Sequence, residues 1–236
     1  HQQFLGNTKQ KIAKEKAGII KRQVPVVISE TQPDVSSIFN DKAAEVNAPI
    51  LFADENIKNI YNSDLEGSYQ SNNQKGVLAL LPFLKNQDFV ITQKNIENGL
   101  NKVSLNTGLK GRWQTLQLDP IVICDTAHNS EGLIFVIRQL KEKSKNKLHL
   151  VLGFVDDKNV SEILAMFPMD AQYYLCQPKI PRALPIDELN SIANRIQISY
   201  NSFPDVNDAL SAAKRNATSK DLIFVGGSTF VVAEVV

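Results

Sequence analysis

The sequence predicts an α/β protein with a mainly parallel sheet, and two observations indicate it. From residue 121 onward, apolar segments of four or five residues alternate with helical segments. This alternation is typical of parallel strands joined by right-handed crossovers. The apolar segments are also unbroken and rich in β-branched residues, which indicates strands that are buried on both faces. We therefore expect a Rossmann-like domain over residues 108–236, without the G-x-G-x-x-G fingerprint of a dinucleotide site.

The elements of this second half follow from the apolar pattern. Strands are expected over residues 121–124, 148–152, 173–176, 196–200 and 222–225. Helices are expected over residues 131–143, 160–166, 185–195 and 206–217.

The first half predicts helices mixed with short strands. Thr8 is expected to cap a helix over residues 9–17, and Gly18 to end it in the left-handed conformation. Further helices are expected over residues 36–46, 72–84 and 92–103, with strands over 24–29 and 49–52. Two glycines among polar residues in Asn106–Gly111 place a domain boundary at 107/108.

Composition narrows the class of protein. With 43% hydrophobic residues, 22% charged residues and a net charge of +1, the chain favours neither a nucleic acid nor a membrane as partner. Cys124 and Cys176 stand in apolar segments, so we expect buried thiols in the reducing cytoplasm. The opening His-Gln-Gln-Phe is not a natural start, so a fragment of a longer protein is expected.

Polar residues gather after the apolar strand at residues 121–124. Asp125, His128 and Asn129 follow it within five residues, ahead of a helical pattern. In α/β sheets of this type, ligands bind at the carboxyl ends of the strands. Alternatively, Asn129 or Ser130 caps the helix, and Asp125 satisfies loop amides. Both interpretations stay open on the residues alone.

Several motifs together resemble the folylpolyglutamate synthase/dihydrofolate synthase family of the Mur ligase superfamily. His1-Gln-Gln-Phe-Leu-Gly-Asn-Thr8 followed by Ile12-Ala-Lys-Glu-Lys-Ala-Gly-Ile-Ile-Lys21 is similar to its D-H-x-x-x-L-G-x-T and I-A-x-E-K-A-G-I-I-K signature. Later matches are Gly67-Ser-Tyr-Gln-Ser-Asn-Asn73, Gly111-Arg112, Asp125-Thr-Ala-His-Asn129, Gly153-Phe-Val-Asp-Asp-Lys158 and Gly226-Gly-Ser-Thr-Phe230. The family's phosphate-binding loop, T-G-T-N-G-K-G-S, is absent from these residues. The resemblance thus implies that residues 1–107 are the C-terminal portion of an ATP-binding domain and residues 108–236 a ligase domain.

The resemblance implies an ATP-dependent ligase. Such an enzyme would join L-glutamate to folate, to dihydropteroate or to both through an acyl phosphate, with ATP and Mg²⁺ as cofactors and with a monomer as the full-length form. Two alternatives remain open: a Mur ligase of peptidoglycan synthesis, and a Rossmann-like binding module without turnover. The long match over residues 12–21 argues against the peptidoglycan enzyme.

In the first half, the resemblance assigns roles to three residues. His1 corresponds to a magnesium ligand, and Lys16 to a lysine that binds metal as a carbamate. Asn73 corresponds to an asparagine that contacts adenine. His1 could instead be a disordered terminal histidine, which is the favoured interpretation in a fragment, Lys16 an exposed helix lysine, and Asn73 an ordinary helix N-cap.

In the second half, the resemblance assigns roles to four more residues. Arg112 corresponds to an arginine that reaches the ATP phosphates, for which a guanidinium fork is suited. Asp125 and His128 correspond to residues that complete the ATP site, and Ser228 to a serine that binds the incoming glutamate. Arg112 could also be a surface arginine, and Ser228 only a helix cap. Thr126 stands where the family has glycine, which questions the turn geometry, and Ser130 where it has proline.

Overall fold

A six-stranded sheet organises the second half of the chain. The structure, a computed structural model, describes residues 8–156 and 160–236. The strands are β3 (Gln114–Leu118), β4 (Ile121–Cys124), β5 (Leu148–Leu152), β6 (Gln172–Cys176), β7 (Tyr200–Phe203) and β8 (Leu222–Gly226). Their order is β3-β4-β8-β5-β6-β7, and every neighbouring pair is parallel except β3 and β4. The predicted α/β class with a mainly parallel sheet is confirmed.

Helices connect the parallel strands of this sheet. They are α7 (Ser130–Lys143), α8 (Val160–Ala165), α9 (Ile186–Arg195) and α10 (Val206–Asn216), and a short helix, α11 (Thr229–Ala233), follows β8. Helix α10 packs against β5, β6, β7 and β8. All five residues of β5 and of β8 are buried, which explains why these strands are unbroken apolar segments. Helix α7 buries its apolar face, Leu133, Val136, Ile137 and Leu140, as its spacing predicts.

The first half contains smaller elements. These are α1 (Lys9–Ala17), β1 (Val26–Ile28), α2 (Ser36–Glu45), β2 (Ile50–Phe52), α3 (Ala53–Asn56), α4 (Gln70–Lys85), α5 (Gln93–Asn101) and α6 (Val103–Thr107). Strands β1 and β2 form a parallel pair. Ala17, Ile20, Ala43 and Ala48 form a small core with the partly buried residues around them.

The chain divides into two compact units. The first ends at Asn62 and resumes from Tyr69 to Asn101, and the second comprises Ser63–Ser68 and Lys102–Val236. The division therefore differs from the predicted boundary at 107/108 in two ways. It lies six residues earlier, and a short segment from the first half belongs to the second unit. That segment is fixed by Asp64, whose carboxylate accepts the N–H groups of Val103 and Ser104 at 2.9 Å each.

Three local predictions were wrong. Residues 196–199 are not part of a strand, because helix α9 closes through a left-handed Gln197 (φ 59°) and buries Ile198, so that β7 begins only at Tyr200. Gly18 is right-handed (φ −59°), and the first left-handed residue after α1 is Gln23. The predicted helix over 92–103 is interrupted at Lys102, where Asp64 holds the start of α6.

Two further features bear on the class of protein. Across the described ranges, no helix is long and apolar enough to cross a membrane. Cys124 and Cys176 are free and completely buried, and burial, with the Asp125 carboxylate beside it, raises the pKa of the Cys124 thiol to about 12. The two thiols therefore act as core residues.

Candidate functional site

Asp125 braces the polar cluster at the carboxyl end of β4. Its side chain has no exposed surface, and its carboxylate accepts the backbone N–H of Trp113 at 2.7 Å and that of Ala127 at 2.8 Å. Its own N–H donates to the carbonyl of Val225 on the neighbouring β8, at 3.2 Å. A buried carboxylate is stable when backbone amides satisfy it. Asp125 therefore ties the loop before β3 to the loop after β4.

Arg112 is presented by a turn with unusual backbone angles. Gly111 and Trp113 on either side of it are left-handed, with φ values of 71° and 50°. A Cβ on Gly111 would lie 2.8 Å from Val232 and 2.9 Å from Thr126, so only glycine fits there. For tryptophan the left-handed region is a real outlier, and the bond from its N–H to Asp125 helps to hold it.

The exposed Arg112 side chain is anchored on Thr126. Its Nη1 donates to the Thr126 hydroxyl at 2.7 Å. The N–H of Thr126 donates in turn to the carbonyl of Gly111 at 2.9 Å. A guanidinium carries five N–H donors, and this bond uses one. Arg112 is thus a positioned cation with donors to spare for an anion.

His128 contacts the backbone of the same residue. The imidazole is exposed, and its Nδ1 lies 3.1 Å from the backbone carbonyl oxygen of Thr126. A proton on Nδ1 makes that contact a hydrogen bond and leaves Nε2 as an acceptor. Arg112, Asp125 and His128, predicted as one site, are therefore brought together around Thr126.

Asn129 and Ser228 cap helices. The Asn129 side chain accepts the N–H of Gly132 at 2.9 Å and starts α7. The Ser228 hydroxyl accepts the N–H of Val231 at 3.2 Å, and Ser228 is 2% exposed. Because β4 and β8 are parallel neighbours, the Ser228 loop emerges at the same edge of the sheet as Asp125. The cap uses one acceptor site of the Ser228 hydroxyl, and a hydroxyl has a second acceptor site and one donor.

A cavity of about 250 Å³ lies beside Arg112 within the second unit. Its lining includes Glu66, Ser104, Leu109, Arg112 and Trp113. The indole Nε1 of Trp113 is buried without a hydrogen-bond partner among the described residues. The loop that presents Arg112 therefore lines this cavity and also contacts Asp125 and Thr126.

Lys16 and Asn73, two of the predicted site residues of the first half, lie in the first unit. Lys16 is an exposed residue of the last turn of α1. Asn73 is exposed in the first turn of α4, where its Nδ2 donates to the Gln70 side chain at 2.9 Å. The cap position of that helix is Tyr69, so Asn73 is not an N-cap. His1 lies outside the described residues, as do Asp157 and Lys158 of the predicted G-x-x-x-D-K loop.

Sequence reasoning missed the use of Thr126. The pattern marked it only as a threonine that cannot replace glycine in a left-handed turn. Thr126 does not have a positive φ, so the turn forms without that strain. The sequence did contain an indication of this role. Threonine in place of the motif's glycine adds a hydroxyl group that can form a hydrogen bond.

Comparison with known proteins identifies the family. Residues 111–229, which include Arg112, Asp125, His128 and Ser228, match the family described as Mur ligase, glutamate ligase domain.

The chain belongs to this Mur ligase family.

Curated relatives of this Mur ligase chain extend the match beyond that domain. The folylpolyglutamate synthase of Lacticaseibacillus casei is 26% identical across 96% of the chain and 56% of its own length. The dihydrofolate synthase/folylpolyglutamate synthase of Bacillus subtilis is 24% identical across 100% of the chain and 59% of its own length. The chain thus spans a little over half the length of these relatives.

A solved structure agrees with the Mur ligase assignment. The bifunctional folylpolyglutamate synthase/dihydrofolate synthase of Yersinia pestis, complexed with AMPPNP and a Mn ion, has a TM-score of 0.80 and 25% identity. The alignment covers 98% of the chain and 57% of that protein. The resemblance inferred from the motifs is confirmed.

Proposed function

We propose that this chain belongs to an ATP-dependent ligase that adds L-glutamate to folate, to dihydropteroate or to both. One observation carries the proposal: Arg112 and His128 are both anchored on Thr126 at the carboxyl end of β4. A fixed cation and an imidazole at that edge suit a phosphate-bearing ligand. The relatives that match along the whole chain support the choice of glutamate and folate as substrates.

The proposed reaction has two displacements. A carboxylate oxygen of the folate substrate attacks the γ-phosphorus of ATP, and the bond from phosphorus to ADP breaks to leave an acyl phosphate. The amine of glutamate then attacks the acyl carbon, phosphate departs with the C–O electron pair, and the nitrogen loses a proton. Two anions must meet in the first step, so cationic groups that offset the charge are the main requirement.

The residues of the second unit have distinct roles in this proposal. Arg112 contacts the ATP phosphates through the guanidinium donors that Thr126 does not use. His128 contacts the nucleotide through its exposed imidazole. Asp125 is buried and satisfied by backbone amides, so it acts by holding the loops of Arg112 and His128. Ser228 binds the incoming glutamate, a role in addition to its cap.

The residues of the first unit keep their predicted roles as proposals. Asn73 contacts adenine through its carboxamide, which both donates and accepts. Lys16 is a metal ligand once it is carbamylated, because a carbamate offers oxygen atoms to a hard cation. Residues 1–107 are proposed as the C-terminal portion of the ATP-binding domain and residues 108–236 as the ligase domain.

The described residues contain few candidates for binding magnesium. Within residues 8–156 and 160–236, no group of three or more His, Cys, Asp or Glu side chains is placed to hold a metal ion. Of the two predicted ligands, His1 lies outside those ranges and Lys16 ligates only as a carbamate. Magnesium would offset charge on the phosphates when bound, and a carbamylated Lys16 would be its ligand among the described residues. A cytoplasmic location and a monomeric full-length form stay predictions.

The test is phosphate release by the complete polypeptide that the gene encodes. With ATP and L-glutamate, release should depend on dihydropteroate or tetrahydrofolate as the acceptor. A protein that binds ATP yet releases no phosphate with either acceptor is not this ligase and fits the binding module. Release that depends on a UDP-linked peptidoglycan precursor instead would assign it to peptidoglycan synthesis.

A further inference from the structure

Thr126 contacts three parts of the candidate site at once. Its hydroxyl accepts from Arg112 Nη1 at 2.7 Å, its N–H donates to the Gly111 carbonyl at 2.9 Å, and its carbonyl lies 3.1 Å from His128 Nδ1. Any residue offers the two backbone groups. The third contact needs a short side chain with an acceptor, which the Thr126 hydroxyl supplies, so the identity of the residue matters for the contact with Arg112.

Arg112 needs such a contact, because its side chain is long and exposed. Ordering a free arginine side chain costs conformational entropy each time a ligand binds. Its backbone is already fixed between the left-handed Gly111 and Trp113, and Asp125 holds the Trp113 N–H. The hydrogen bond that the Thr126 hydroxyl accepts from Arg112 restricts the guanidinium as well.

We propose that Thr126 is a positioning residue whose hydroxyl orients the Arg112 guanidinium for the phosphates of ATP. The inference rests on the proposed function, in which Arg112 is the phosphate contact. Thr126 is 8% exposed and acts through Arg112, without touching the nucleotide itself. The glycine of the resembling motif has no atom that could make this bond, so the device is a property of this chain.

The experiment compares Thr126→Val, which removes the hydroxyl and keeps the shape, with Thr126→Ser, which keeps the hydroxyl. Both are made in the complete polypeptide, with Arg112→Ala and the Arg112→Ala/Thr126→Val double variant. The dissociation constant for AMPPNP is measured by calorimetry, and KM values are measured for ATP and for glutamate. Thermal midpoints report on folding, and Thr126→Ala replaces Thr126→Val if the valine variant does not fold.

Thr126→Val should raise the AMPPNP dissociation constant and the KM for ATP about tenfold, since a hydrogen bond to a charged group is lost. The KM for glutamate and the thermal midpoint should not change, and Thr126→Ser should behave like the parent protein. In the Arg112→Ala background, the valine substitution should have no further effect. A merely structural role would lower the midpoint and leave both nucleotide constants unchanged.

Three results would overturn the proposal. If Thr126→Val binds AMPPNP as the parent does while Arg112→Ala binds it weakly, Thr126 has no part in positioning. If the valine effect persists without Arg112, it acts by another route. If Arg112→Ala binds AMPPNP normally, Arg112 is no phosphate contact. These three results are binding measurements and do not require turnover. Failure of the ligase proposal would instead be observed as an absence of phosphate release.

Discussion

At the scale of single residues, Asp125 illustrates how a buried charge can serve a site without facing it. Both of its acceptor oxygens are occupied by backbone N–H groups, from Trp113 and Ala127. Those two amides belong to the loops that carry Arg112 and His128. The alternative considered from sequence, that Asp125 satisfies loop amides, therefore describes its contacts, and it is also how Asp125 can contribute to function.

Asp125→Asn should lower the free energy of unfolding by about 1–3 kcal/mol. A carboxamide offers one acceptor oxygen in place of two, so one of the buried N–H groups of Trp113 and Ala127 loses its partner. Urea unfolding followed by circular dichroism measures the change. The matched control is Asp119→Asn at an exposed position, for which the change should stay within about 0.5 kcal/mol. Equal effects of the two substitutions would contradict the bracing role of Asp125.

At the scale of elements, the sequence predicted the central strands well because they are buried on both faces. The strands predicted at 121–124, 148–152 and 222–225 begin at the predicted residues, and β8 ends one residue later than predicted. Strand β3 was missed, because an edge strand with the sequence Gln-Thr-Leu-Gln-Leu carries no continuous apolar segment. The error at 196–200 has a different cause: Ile196 and Ile198 are apolar because they close and bury the end of α9.

The candidate site was predictable in part. A polar cluster after a buried strand indicates a ligand-binding edge, which located Asp125 and His128. The bonds around Thr126 depend on the left-handed turn at Gly111–Trp113, and a left-handed tryptophan cannot be foreseen from local preferences. The segment Ser63–Ser68 joins the second unit through hydrogen bonds that Asp64 accepts and through hydrogen bonds to the Gln139 side chain, and no periodic sequence pattern indicates such contacts.

Two glycines in different elements should respond oppositely to alanine. In helix α5, a Cβ added at Gly99 would meet no atom within 4 Å, so Gly99→Ala should raise the free energy of unfolding by about 0.5–1 kcal/mol. After strand β5, a Cβ on Gly153 would lie 2.5 Å from the backbone oxygen of Cys176. Gly153→Ala should therefore lower stability by about 1–3 kcal/mol. Denaturant titration measures the free energy of unfolding of both variants. A Gly153→Ala variant that is more stable than the parent would contradict the close approach of β5 to β6.

At the scale of the whole molecule, a buried polar network lies at the amino ends of β5 and β8. His149 Nδ1 is 3.1 Å from the Tyr174 hydroxyl, and His149 Nε2 is 3.5 Å from the Asp221 carboxylate. Asp221 accepts the N–H groups of Lys147 and Thr218 and the Asn146 side chain. Burial would raise the pKa of Asp221, but these hydrogen bonds outweigh it and hold the pKa far below its usual value. The network is structural, since it lies at the edge opposite to Asp125 and His128.

This network makes stability depend on pH. Burial lowers the pKa of His149 below its ordinary 6.5, although the Asp221 carboxylate acts in the opposite direction. Below about pH 6.5 the unfolded chain therefore binds a proton that the folded protein binds less readily, and the free energy of unfolding falls as the pH decreases. Denaturant unfolding between pH 7 and pH 5 measures the slope. This slope should be smaller in His149→Gln and unchanged in His128→Gln. If His149→Gln leaves the slope unchanged, groups other than His149 cause the pH dependence.

Trp113 gives the molecule a built-in optical reporter. It is the only tryptophan among the 236 residues, it is 2% exposed, and its neighbour in the chain is Arg112. The emission of an indole shifts in wavelength and intensity when charge or water arrives close to the ring. A phosphate that reaches Arg112 should therefore be visible as a change in intrinsic fluorescence, and nucleotide titrations need neither a label nor turnover.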